Sequence, residues 1–104
     1  MASVTFNQNF IITSANSAVD YIDLGFASTN KLNNNTTTTS AVSGSSRKAV
    51  VHFNGNNPPP LTFKVTKEVT FPEDSHVTLT GGGPNDNVIE GVDDLNNRAV
   101  WSIV

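Results

Sequence analysis

KLNNNTTTTSAV (Lys31–Val42) and DLNNRAVWSIV (Asp94–Val104) share a pattern. Both carry Leu-Asn-Asn, then a β-prone run, then Ser, an aliphatic residue and Val. Upstream, SVTFNQNF (Ser3–Phe10) has a counterpart in AVVHFNGNN (Ala49–Asn57). Each copy therefore opens on a strand entering an Asn-rich turn and closes on Leu-Asn-Asn entering a strand. Repetition on this scale points to paired supersecondary units. Motif one covers residues 1–44 and motif two residues 48–104. The second holds an insertion, around Pro58–Pro60 or Glu73–Glu90.

Working outward, the rest of the chain reads as short strands. RKAVVHFN (Arg47–Asn54) is a strand bounded by GNNPPP. LTFKVTKEV (Leu61–Val69) sets Leu61, Phe63, Val65, Lys67 and Val69 against Thr62, Lys64, Thr66 and Glu68, a half-buried strand. AVDYIDLGF (Ala18–Phe26) places Val19, Tyr21 and Asp23 on one face and Asp20, Ile22 and Leu24 on the other. Val77–Thr80 is a short strand, Gly81–Asn87 a turn and Ala99–Val104 a closing strand with Trp101 buried from both sides. By composition alone, the polar run Asn30–Ser46 reads as a linker. Helix signals are nearly absent. The expected fold is all-β, a single β-sandwich of two Greek-key motifs in one domain of 104 residues.

Asn, Ser and Thr supply 14, 10 and 12 residues, while charged residues make up only 14%. The surface is thus neutral and hydrogen-bonding rather than ionic. A net charge of −3 argues against nucleic acid, which is bound through a basic face that releases counterions, and against anionic membranes. No apolar run approaches the length of a membrane-spanning helix. With no Cys, disulfides, thiolate metal sites and thiol catalysis drop out. A small unstapled domain must be held by packing, a non-thiolate metal or a partner.

The arrangement resembles the βγ-crystallin family, most closely its microbial spore-coat and calcium-binding members. Those end each of two Greek keys with N/D-N/D-x-x-S/T-S/T, which Asn33-Asn34-Asn35-Thr36-Thr37-Thr38 matches. KAVVHF (Lys48–Phe53) looks like the opening strand of a second motif. The family's opening Phe-x-Gly is not reproduced: no Gly follows Phe10, and Phe53 leads into Asn-Gly-Asn-Asn-Pro. The resemblance implies calcium as ligand, held by Asn34, Asn35 and Thr37 with Asn7 or Asn54 as loop donors. It implies a second, degenerate site at Asn96 and Asn97, where Val100 and Trp101 stand at the hydroxyl positions and Arg98 adds a positive charge. Calcium takes six to eight oxygens, and amides, hydroxyls and carbonyls on a tight turn can supply several. The competing reading of both turns is a network that satisfies its own backbone amides.

Other residues offer weaker chemistry. Asp86, Glu90, Asp93 and Asp94 form an acidic patch that fails the EF-hand spacing. His52 and His76 have no nucleophile or third ligand spaced to help them. Gly81-Gly82-Gly83-Pro84 lacks the following Lys and helix of a phosphate loop. Tyr21 or Trp101, if exposed, would offer a sugar-stacking platform. The first expectation is therefore a non-enzymatic structural domain with calcium-linked stability and a capacity for self-association. The second is a small binding module, a lectin or a protease inhibitor, presenting the loop Asn54–Pro60 to a glycan or protein.

Overall fold

The computed structural model describes residues 4–6, 9–14, 19–25, 31–33, 37–41, 44–53, 59–81 and 86–104. Twelve strands and no helix occur among them. They are β1 (Val4–Phe6), β2 (Asn9–Ser14), β3 (Val19–Asp23), β4 (Lys31–Asn33), β5 (Thr37–Ala41), β6 (Gly44–Ser46), β7 (Lys48–Phe53), β8 (Leu61–Lys67), β9 (Val69–Phe71), β10 (His76–Gly81), β11 (Val88–Val92) and β12 (Arg98–Ile103). The larger sheet runs β4-β3-β7-β8-β12-β11-β10-β2-β5, and the smaller runs β6-β1-β9. β4 also lies alongside β2, so the large sheet curls back on itself.

The all-β class is as expected, and the run 30–46, read as a linker, contributes β4, β5 and β6. β10, β11 and β12 form an antiparallel meander, and β8 lies antiparallel beside β12. β9, which lies between β8 and β10 in sequence, belongs to the smaller sheet. The strands of the first half enter the same sheets as those of the second: β3 pairs with β7, β2 with β10 and β1 with β9. The core is likewise shared, since Ile22 and Leu24 pack with Val51, Phe63, Leu79 and Trp101.

The Leu-Asn-Asn copies differ in structure. Leu32 and Asn33 lie in β4, whereas Leu95, Asn96 and Asn97 form the turn between β11 and β12. A different repeat shapes the fold. Val4-Thr5-Phe6 lies parallel to the identical tripeptide Val69-Thr70-Phe71, residue against like residue. The same offset continues from Ile11↔His76 to Ser14↔Leu79. Both segments thus pass together from the small sheet into the large one.

Alternation builds the inner face. Ala49, Val51 and Phe53 of β7, Phe63 and Val65 of β8, Val77 and Leu79 of β10, and Ala99 and Trp101 of β12 are buried. Two departures from simple alternation have local causes. A register shift in β3 between Val19 and Tyr21 accompanies an inner face of Ile22 and Leu24, with Asp20 exposed. Lys67, which alternation assigns to the apolar face, is exposed. β8 pairs Val65 with Trp101 but Lys67 with Val100, so Thr66 is the extra residue of a bulge that re-aims the strand. The Thr66 hydroxyl lies 3.3 Å from both the Val100 carbonyl and the Ser102 hydroxyl.

Trp101 is fully buried, and its indole N–H finds no partner among the described residues. The burial is as the strand's alternation predicts. Opposite it stands Ile89, and the next residue on that face of β11 is Gly91. A methyl group on Gly91 would come within 3.0 Å of Leu79 Cδ2 and 3.4 Å of the indole. Gly91→Ala is expected to overpack this site and cost about 1–3 kcal/mol. Trp101→Ala should cost roughly 3–5 kcal/mol. Trp101→Phe should cost less, because it removes an unsatisfied donor together with the volume. Urea midpoints of the three variants check the order.

Candidate functional site

Of the residues expected to bind calcium, Asn34 and Asn35 and the loop donors Asn7 and Asn54 lie outside the described residues. Thr37 is the first residue of β5, where its backbone pairs with Thr13, itself paired with Thr78. The 93–97 turn is fully described. Asp93, only 6% exposed, accepts hydrogen bonds at Oδ1 from the amides of Leu95 (3.0 Å) and Asn97 (2.7 Å). Its Oδ2 accepts from Asn97 Nδ2 at 2.8 Å. Backbone bonds join Asp93 N to Asn97 O and Asn96 N to Asp93 O, both at 3.1 Å. Asn96 takes φ 65°, a left-handed geometry that Asn tolerates. The Asn97 side-chain amide is thus already engaged, and Asn96 is exposed. Here Asp93 and Asn97, the latter expected as a metal donor, build a capped turn. Arg98 pairs with Glu90 at 3.1 Å on the exposed side of the sheet, a contact worth little in solvent.

Beside this turn a cavity of about 180 Å³ is lined by Pro72, Glu73, Asp74, Ser75, His76, Asp93, Asp94 and Leu95. Although acidic, it shows no convergent metal ligation: among the described residues no three His, Asp or Glu side chains are grouped to hold an ion. Ser75 turns its hydroxyl back to the Pro72 carbonyl, closing the β9–β10 corner.

The two histidines are far from each other in role. His52, on β7, stacks on Tyr21 of β3, with ring centroids 4.1 Å apart and planes at 18°. The two are partners in register on the outer face, and both are half-buried. Trp101, being buried, is no sugar platform; Tyr21 reaches the outer face but gives part of its ring to His52. Of the loop 54–60, Pro59 and Pro60 are described and exposed.

Sequence reasoning missed one feature. A concavity of about 530 Å³ is bounded by Leu24, Gly25, Ser45, Arg47, Lys48 and Lys64. Two of its cations come from β7 and β8, whose pairing places Lys48 directly opposite Lys64, and Arg47 precedes β7. The alternation of Lys48 and Lys64 with buried neighbours put each on an outer face, but only the register shows that the two meet.

No family model, curated protein or solved structure matches the chain. Asp93→Ala is expected to lower stability by about 2–3 kcal/mol, because it strips three donors of a charged acceptor. Asp93→Asn, which keeps one acceptor oxygen, should lose less. Chemical denaturation of both variants measures the difference.

Proposed function

We propose that the chain is a non-enzymatic structural domain whose working property is a stable, neutral β fold. The observation that carries this reading is the shared core, in which Ile22 and Leu24 pack with Trp101 and Phe63 across a sheet drawn from both halves. The most deeply buried acid, Asp93, uses both oxygens to hold its own turn. His52 is stacked on Tyr21. Both groups therefore serve the fold. The likeness to βγ-crystallin domains and their two-key sandwich belongs to the same proposal.

Calcium enters at the first turn, through Asn34, Asn35 and Thr37. The 93–97 turn, with Asn96 and Asn97, serves as a hydrogen-bonded cap. A site poor in carboxylates gains little Coulomb energy, so its affinity should lie on the order of 10⁻⁵–10⁻³ M. An ion that binds only the folded state stabilises it by roughly 2.7 kcal/mol at a hundredfold excess over Kd.

Thermal melts with millimolar calcium and with chelator test the ion. The midpoint is expected to rise with calcium, and Thr37→Val should abolish the rise while leaving the chelated midpoint in place. An unmoved wild-type midpoint removes calcium from the proposal. The structural role is tested separately by a glycan array and a protease-inhibition panel. A specific hit abolished by substituting Tyr21 or Pro59 would replace it with a binding role.

A further inference from the structure

The concavity beside β3, β7 and β8 holds three of the chain's six basic residues. We infer that this corner binds a small ligand bearing a phosphate or sulfate group, gripped by Arg47, Lys48 and Lys64.

The first argument is electrostatic. Lys48 and Lys64 are direct cross-strand partners, both exposed on the same face, and like charges so placed repel. Arg47 adjoins them. Elsewhere on the surface a cation meets an acid, as Arg98 meets Glu90 at 3.1 Å; here the register sets cation against cation. An anion between them would relieve the repulsion and form charge-assisted hydrogen bonds, with Arg offering a planar fork and Lys a point charge.

The second argument is rigidity. The buried Ser46 hydroxyl lies between the carbonyls of Leu24 and Lys48, the latter at 2.8 Å. The Arg47 carbonyl accepts the Val65 amide at 2.9 Å. Gly25 turns at φ +78°, its amide bonded to Asp23 Oδ1 at 2.8 Å. The backbone bearing the cations is therefore fixed before any ligand arrives, which lowers the ordering cost of binding.

The third argument selects the ligand. About 530 Å³ falls within the range of small-molecule sites, roughly 300–1,000 Å³, and so holds an anionic group together with the body that carries it. A long polyanion would meet the net charge of −3. Glu73, Asp74, Asp93 and Asp94 gather at the second cavity. Lys64 pairs with Ser102, at the far end of β12 from that acidic turn, a separation of about 13 Å over four residues. A compact anion is steered to the basic end.

The test is an amide-resolved NMR titration at fixed ionic strength with sodium sulfate, inorganic phosphate, glucose 6-phosphate, glucose and sodium chloride. Sulfate, phosphate and glucose 6-phosphate should give saturable shifts at Gly25, Arg47, Lys48 and Lys64. Glucose and chloride should not. Tighter binding of glucose 6-phosphate than of inorganic phosphate identifies a phosphorylated small molecule as the source; equal binding identifies the free anion. The double variant Lys48→Gln/Lys64→Gln should bind at least tenfold more weakly and melt no lower than wild type without anion. A structural role for the two lysines would instead lower that melt. Non-saturable shifts shared with chloride would overturn the site. So would shifts that follow protein concentration and map to residues 93–95, because a second copy's acidic turn would then be the occupant.

Discussion

The structure depends on room for one indole. Trp101 is the largest fully buried side chain, and two of the smallest residues make space near it: Gly91 on β11 and Ala99 on β12. Val65 is its partner on β8 and Ile89 its partner on β11, so the ring meets both neighbouring strands. Interiors pack at crystal-like density, and a ring of this size fixes which residues can stand beside it. It also fixes the register, since a slip of one residue would turn Trp101 outward and Val100 inward. The bulge at Thr66 is part of the same arrangement. It keeps Val65 beneath the indole and places Lys67 opposite Val100, at the point where the chain leaves β8 for β9.

Much of the inner face was legible because it rests on local alternation. Ala49, Val51, Phe53, Phe63, Val65, Val77, Leu79, Ala99 and Trp101 all follow period two within strands that the residue pattern delimits. What alternation cannot supply is which strand lies beside which. The Leu-Asn-Asn repeat looked like that information, yet its copies take different roles: Asp93 captures the second with three hydrogen bonds, and nothing acidic precedes the first. The repeat that does pair, Val-Thr-Phe at 4–6 and 69–71, is a common β tripeptide with little signal of its own. Its meaning emerges only from the matching offset of β2 and β10. The candidate sites divide in the same way. The acidic turn was visible as a cluster of residues, but its use as a cap depends on φ at Asn96. The basic corner depends on a register that no local pattern encodes.

The margins of the sheets carry features that discourage edge-to-edge pairing. Exposed edges invite further strands, and proteins blunt them by shortness, lysine, polar residues or proline. The large sheet ends in β4, three residues long and beginning with Lys31, and in β5, whose sequence is Thr-Thr-Thr-Ser-Ala. The small sheet ends in Gly-Ser-Ser of β6 and in β9, which runs directly into Pro72. Neutral hydroxyls and chain breaks thus replace the charge that would ordinarily guard these edges.

Against that background, the Lys48–Lys64 pairing stands out as a local conflict. Other charged groups are accommodated: Arg98 meets Glu90, Asp93 meets three donors, and Lys67 is turned outward by a bulge. Six cations distributed over this surface could have avoided one another easily. Instead Lys48 and Lys64 face each other across adjacent strands, with Arg47 beside them over a concavity. Sequences that specify one structure satisfy their local constraints nearly everywhere, and the violations that persist concentrate where a site needs them. Repulsion held in place by a fixed backbone becomes attraction once an anion arrives, so the corner that weakens the empty fold is also the one best prepared to bind.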